Sequence, residues 1–258
     1  LRYQEKTGSN VYIYRLPNLF GKWTRPFYNS VVATWSYQIA RDEEIKIDNP
    51  QHELNLVYID DLVDEILKAM EGKGNRIVQS YYSVPISYHV TLDKLAKTLK
   101  SFRESRKNRF IPNMADDLSR KLYSTYLNYL PEDDFSYDLI THKDHRGSFT
   151  EFVKSEYAGQ VSVNVSAPDV TKGEHWHHSK NEKFLVVKGK GLISFRDIFS
   201  DEVIEYYVSE DKLEVVDIPT GYTHNIINLG EEDMVTIMWV NEPFDPDNPE
   251  TFSLEVKQ

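Results

Sequence analysis

The chain has 258 residues, 30 Lys+Arg against 41 Asp+Glu, no cysteine, and 40% hydrophobic with 28% charged residues. That balance is too apolar for a disordered tail and too charged for a membrane bundle, and no apolar run approaches the roughly 20 residues that span a bilayer. Zero cysteines exclude a disulfide framework, a cysteine zinc finger and a thiol nucleophile, and they fit a cytoplasmic protein. The charge is uneven: residues 1–134 carry 19 basic and 18 acidic side chains, whereas 135–258 carry 11 and 23, a net of −12. An acidic second half excludes nucleic-acid binding, which needs a basic face. Pro131-Glu132-Asp133-Asp134 lies on the break, so two domains are expected, over 1–130 and 135–258.

In chain order, Leu1 to Lys6 reads as the end of a helix stopped by Gly8. Asn10 to Leu16, β-branched and aromatic, reads as a strand. A domain that opens on the tail of a helix, with Leu1 in place of Met, is expected to lack an upstream part. Val31, Val32, Trp35 and Ile39 recur at helical spacing within 29–41. Leu56 to Ile59 forms a strand leading to Asp60-Asp61, which are expected to cap a helix whose apolar face is Leu62, Val63, Ile66, Leu67 and Met70. A further helix spans 90–106, with Leu92, Leu95, Leu99 and Phe102 on one side and Lys94, Lys97, Lys100 and Arg103 on a solvated one. Alternating strands and helices make the first half α/β.

After Phe135 the texture changes. Alternating runs at 161–165, 184–187, 192–195, 214–218 and 234–240 are separated by turn residues, the pattern of an all-β sandwich or barrel. The stretch 242–249, with Pro243, Pro246 and Pro249, suits neither helix nor strand.

Four histidines in this half are informatively spaced: His175, His177, His178 and His224. Residues i and i+2 of a strand share a face, so His175 and His177 can reach one metal. Glu182 can return on the next strand and His224 on a later one. Three imidazoles and a carboxylate suit Zn, Fe, Mn or Ni; the bland alternative is a surface histidine cluster without a metal. His178 falls on the opposite face of a regular strand.

The strings H-x-H-x4-E-x6-G from His175 to Gly189 and P-x-G-x2-H-x3-N from Pro219 to Asn228 resemble the two motifs of the cupin family. That resemblance implies a double-stranded β-helix barrel with His175, His177, Glu182 and His224 as metal ligands. One departure is Asp169, where the family pattern has glycine. Upstream, Asp144-His145-Arg146-Gly147-Ser148-Phe149-Thr150-Glu151 resembles the nucleotide-sugar 3,5-epimerases that act on 4-keto sugars. The resemblance implies that Arg146 and Glu151 hold the nucleotide diphosphate; the structural alternative is a turn and a solvated strand residue. The family's R-G-x-H-x-Q string, which carries its base, is missing. His178, Lys172 and Tyr222 are the candidates for proton transfer to and from the carbon beside a ketone.

Tyr14 to Gly21 and Leu56 to Val63 resemble two signatures of the extended short-chain dehydrogenase/reductases. By that resemblance Pro17 lies beside the nicotinamide and Asn18 contacts the nucleotide sugar. The Gly-rich turn and the Tyr-x-x-x-Lys pair that the family needs are absent from these 258 residues and are expected upstream. The expected fold is therefore an α/β remnant of a Rossmann-type reductase domain followed by an all-β cupin. This combination is similar to the CapF-like family of capsular polysaccharide enzymes, with the ending Trp239 to Pro246 also alike. The resemblance implies C3 epimerisation of a UDP-4-keto-6-deoxy-HexNAc in the cupin and NADPH-dependent C4 reduction in the full-length reductase domain, on the UDP-N-acetyl-L-fucosamine route. It also implies zinc or another divalent metal, a UDP-linked keto-sugar as partner and a homodimer. Two rivals stand: a non-catalytic sugar-nucleotide-binding cupin with a structural metal, and an iron cupin dioxygenase.

Overall fold

The computed structural model describes residues 2–257; Leu1, counted in the expected first helix, lies outside them. The chain divides into two compact units, one of residues 2–107 with 112–136, the other of 108–111 with 137–257.

The first unit contains α1 (Arg2–Thr7), β1 (Ile13–Tyr14), β2 (Asn18–Phe20), α2 (Val31–Ile39), β3 (Glu53–Tyr58), α3 (Ile59–Met70), β4 (Arg76–Val78), β5 (Tyr81–Tyr82), β6 (Tyr88–Thr91), α4 (Leu92–Asn108) and α5 (Asp117–Leu127). Two three-stranded sheets form, ordered β1-β5-β4 and β2-β3-β6, with β1–β5 and β2–β3 parallel. Gly8 follows α1 at φ +69, and Ser30 caps α2 by accepting the Ala33 N–H at 3.3 Å. The core joins Phe20, Val32, Trp35 and Leu56 to Leu95, Leu99 and Phe102 of α4 and Leu122 and Tyr126 of α5.

Three expectations need correction here. The strand expected over 10–16 is confined to Ile13–Tyr14. Asp60 and Asp61 do not cap α3, whose cap is Tyr58 with no side-chain hydrogen bond. They lie in its first turn, favourable for the helix dipole, and form ion pairs: Asp60 with Lys22 at 3.0 Å and Asp61 with Lys121 at 2.8 Å. The buried face of α3 is Leu62, Glu65 and Ala69, while Val63, Ile66, Leu67 and Met70 are exposed. Glu65 is tolerated there because its Oε1 accepts the Tyr14 hydroxyl at 2.9 Å and the Asn75 N–H at 2.5 Å.

The second unit is strand-rich: β7 (Thr141–Asp144), β8 (Gly147–Ser155), β9 (Gly159–Ser166), β10 (Thr171–Trp176), β11 (Glu182–Lys188), β12 (Lys190–Asp197), β13 (Val203–Ser209), β14 (Val216–Ile218), β15 (Tyr222–Asn228), β16 (Met234–Val240) and β17 (Phe252–Ser253). One sheet runs β13-β12-β15-β10-β17 and the other β14-β11-β16-β9-β8-β7. Their shared core draws Ile193, Phe195, Val208 and Ile226 from the first sheet and Phe184, Val186, Ile218 and Met234 from the second. The inward face of β9 is instead polar: Gln160, Ser162, Asn164 and Ser166 are all buried. Residues 108–111 belong to this unit through a bridge between Phe110 and Lys154 and an ion pair between Arg109 and Glu151 at 2.7 Å.

Candidate metal centre and its cavity

β10 and β15 are antiparallel neighbours with His175 directly opposite His224, so adjacent strands present two imidazoles side by side, ring centroids 4.6 Å apart. A bulge at Glu174, φ +60, shifts the register just before His175. Glu182 opens β11 in the facing sheet, and His177 follows the end of β10. The ligating atoms of His175, His177, Glu182 and His224 all fall within 4.8 Å of one another. His224 Nε2 lies 3.1 Å and His177 Nε2 3.7 Å from the Glu182 carboxylate.

The donor set fits a divalent cation. His177 Nε2, Glu182 Oε2 and both His224 ring nitrogens are buried without a hydrogen-bond partner of acceptable geometry. Buried polar atoms are normally satisfied, and a shared cation satisfies several at once. Among protein groups alone, burial would lower the His177 ring, but the Glu182 carboxylate and the Glu250 carbonyl outweigh it and raise it. Burial, seconded by His224, lowers the His175 ring to about 4, so it is neutral and able to ligate at neutral pH. Burial alone would raise the Glu182 carboxyl, but His177 and His224 outweigh it and hold it at about 2.

His175, His177 and Glu182 stand on the wall of a cavity of about 460 Å³, with His224 buried behind them; the cavity is lined also by His142, Phe149, Glu151, Gln160, Ser162, Lys180, Met238, Glu242, Phe244 and Thr251. A second cavity of about 310 Å³ adjoins it through His142 and Phe149 and is lined by Lys143, Arg146, Asn164 and Lys172. Alternate residues of β9 thus serve two chambers, Gln160 and Ser162 the first and Asn164 the second.

The expected site residues separate. Arg146 lines the smaller cavity and pairs with Asp144 at 2.6 Å. Glu151 lines the larger one but is also held by Arg109 at 2.7 Å and Lys154 at 2.8 Å. None of the three proton-transfer candidates lines the larger cavity. His178 is exposed, its ring against Trp176 and Phe252 with centroids at 4.4 and 4.9 Å. Lys172 donates to Asn164 Oδ1 and the Val165 carbonyl, both at 2.8 Å, in the smaller cavity, and burial pushes its ammonium below the ordinary range. Tyr222 packs against the second unit's core. In the first unit, exposed Asn18 and half-buried Pro17 stand at the start of β2. The chain holds neither Gly-rich turn nor Tyr-x-x-x-Lys, so these residues do not by themselves make a dinucleotide site.

Sequence reasoning overlooked Lys180 and Glu250. Lys180 had a signal, standing three residues beyond His177; Glu250, in a proline-rich stretch, had none.

Comparison with known proteins decides the family. Residues 142–252 match the polysaccharide biosynthesis C-terminal domain, and residues 1–81 match the NAD dependent epimerase/dehydratase family. The chain is 46% identical over 252 residues to the UDP-2-acetamido-2,6-beta-L-arabino-hexul-4-ose reductase of Pseudomonas aeruginosa, covering 98% of this chain and 67% of that protein. The crystal structure of the capsular polysaccharide assembling protein CapF from Staphylococcus aureus superposes with a TM-score of 0.93 at 58% identity, covering 98% of this chain and 69% of that one. This chain belongs to the CapF-like family. A CapF structure with the inhibitor 3-isopropenyl-tropolone matches equally, TM-score 0.94 over 98% of this chain and 73% of that one. The CapF-like chain therefore joins an epimerase-type domain to a strand-rich C-terminal region in an enzyme of polysaccharide biosynthesis. Among its described residues no helix is long and apolar enough to cross a membrane.

Proposed function

We propose that the second unit is a cupin barrel that binds one divalent cation, zinc foremost, through His175, His177, Glu182 and His224 and epimerises C3 of a UDP-4-keto-6-deoxy-HexNAc. The observation that carries this is the pairing of chambers. A cavity lined by three of the four metal-type donors, His175, His177 and Glu182, with His224 buried behind them, adjoins one lined by Arg146, Lys143 and Lys172, cations suited to a diphosphate. The keto sugar then faces the histidines while the nucleotide diphosphate meets Arg146.

Removing the proton beside a ketone makes an enolate, whose oxygen needs electrostatic stabilisation. A divalent cation supplies Lewis acidity suited to that oxygen. The chain's own contribution is placement. Gln160 and Ser162 offer neutral hydrogen-bonding groups to the sugar, and Phe244 and Met238 give an apolar wall. The groups available for proton transfer in this cavity, besides the ligands, are His142, Glu151, Lys180 and Glu242. The first unit is assigned to the NADPH-dependent reductase step at C4 on the L-fucosamine route, with the assembly a homodimer.

The test is deuterium wash-in from D2O at C3 of the UDP-4-keto sugar. Incorporation that disappears in His175→Ala supports epimerisation. Saturable UDP binding without incorporation instead establishes a non-catalytic sugar-nucleotide-binding unit with a structural metal. One observation favours that second reading: His178, Lys172 and Tyr222 all stand off the larger cavity.

A further inference from the structure

Of the four donors, three are held inside strands: His175 in β10, Glu182 in β11 and His224 in β15. His177 is the exception, lying one residue past the end of β10 in no regular element. Its ring must be held by something else. The structure assigns that task to the C-terminal strap: we propose that Glu250 is the positioning residue of the metal centre. The proposal rests on the reading that these four side chains take a divalent ion.

Glu250 grips the turn after His177 in two ways. Its Oε1 accepts the backbone N–H groups of His178 at 2.7 Å and Ser179 at 2.8 Å, and its Oε2 accepts that of Lys180 at 3.1 Å. Three successive amides converging on one carboxylate make an anion-binding nest. The same residue's carbonyl oxygen stands 2.6 Å from His177 Nδ1. A carbonyl only accepts, so Nδ1 carries the hydrogen, and Nε2, 3.7 Å from the Glu182 carboxylate, is the nitrogen left to ligate a cation. Both contacts require a backbone turned back on itself, and Glu250 adopts φ +47, a left-handed conformation that its β-carbon disfavours.

The strap is anchored beyond this residue. Phe252–Ser253 pairs with Trp176 and His175 of β10, and the Leu254 N–H bonds to the Glu174 carbonyl at 3.0 Å. The buried Arg196 guanidinium donates to the carbonyls of Glu255 at 2.7 Å and Val256 at 2.8 Å. On the other side of Glu250, the Pro249 carbonyl accepts the Lys180 ammonium at 2.5 Å. A fixed strap lets one carbonyl hold a ring against displacement.

The experiment compares wild type, Glu250→Gln, Glu250→Ala and the exposed-site control Asp247→Ala, all in the full chain. Zn2+ affinity is read by competition with a chromophoric chelator, and ligand geometry by the visible absorption of the Co2+-loaded protein. These variants keep the main-chain carbonyl on His177 Nδ1 and alter the carboxylate that ties Glu250 to the 178–180 turn; loss of such an outer-shell contact weakens metal binding by about 10–100-fold. That drop is expected for Glu250→Ala, with an altered Co2+ band; Glu250→Gln, retaining one acceptor oxygen, should lie between it and wild type, and Asp247→Ala should match wild type. Thermal unfolding of the metal-free proteins identifies any variant that fails to fold, and if Glu250→Ala does, Glu250→Gln decides. A folded Glu250 variant with wild-type affinity and an unchanged Co2+ spectrum overturns the assignment. A wild-type chain that takes up no Co2+ or Zn2+ refutes the metal reading itself, and the assignment with it.

Discussion

Replacing Glu151 with glutamine separates a structural from a substrate-binding role for this residue. Its carboxylate joins Arg109 at 2.7 Å and Lys154 at 2.8 Å, with the three side chains 16%, 14% and 12% exposed. Removing one partner of a fully buried ion pair costs about 3–5 kcal/mol, so this slightly solvated cluster should lose about 2–3 kcal/mol. At about 2–4 °C per kcal/mol for a chain of this size, melting should fall by roughly 5–10 °C at pH 7. Burial alone would raise the Glu151 carboxyl, but Lys154 and Arg109 prevail and hold it below its ordinary value of 4.5. A depressed folded-state value means the stabilisation is present above pH 4.5 and is lost as pH falls through the lower folded-state value. Melting curves of wild type and Glu151→Gln should therefore converge on acidification. A gap that stays constant across the acid range, or no gap at pH 7 with impaired nucleotide binding, would refute the ion-pair account and restore Glu151 as a ligand contact.

Removing the metal with a chelator should lower the melting temperature, and one equivalent of Zn2+ should restore it; at a free ion concentration of 100 times Kd the bound state gains about 2.7 kcal/mol. A melting point insensitive to both additions counts against the centre. His178→Ala should leave C3 deuterium exchange within about twofold of wild type, because its ring meets Trp176 and Phe252 edge-to-face outside the cavity; a loss of tenfold or more would return His178 to the reaction. Gly147→Ala should destabilise the second unit by about 3 kcal/mol or more, since a β-carbon there would stand 2.0 Å from the Val165 carbonyl oxygen and the backbone has φ +127; equal urea midpoints for variant and wild type would contradict this.

The site was legible where chemistry repeats at strand spacing. His175 and His177 announce themselves as a period-two pair, and Glu182 and His224 are brought to them by β11 and β15. Glu250 could not be read, because 73 residues separate it from the His177 ring that its carbonyl holds. In the first unit, α2 and α4 follow their apolar periodicity closely. The exposed stripe on α3 does not, since burial there was decided by Tyr14 and Asn75 meeting Glu65, a contact no local window contains. α5 was missed although legible: Leu118, Leu122 and Tyr126 recur at i, i+4 and i+8, a helical spacing. The edge strand β13 escaped because Ile204, Tyr206 and Tyr207 are exposed, so its apolar residues do not mark one buried face.

The polar inner face of β9 implies a trade between robustness and ligand recognition. Burying a Val or Leu side chain contributes about 1.5–3 kcal/mol, and four successive inward positions forgo it. Gln160 bonds to Ser162 and Asn164 to Ser166, at 3.0 and 3.2 Å, so the strand's own side chains limit the penalty of keeping them dry. Apolar replacements along this strand are consequently the place where directed evolution for heat tolerance would find its gains, and where those gains would erase the pocket.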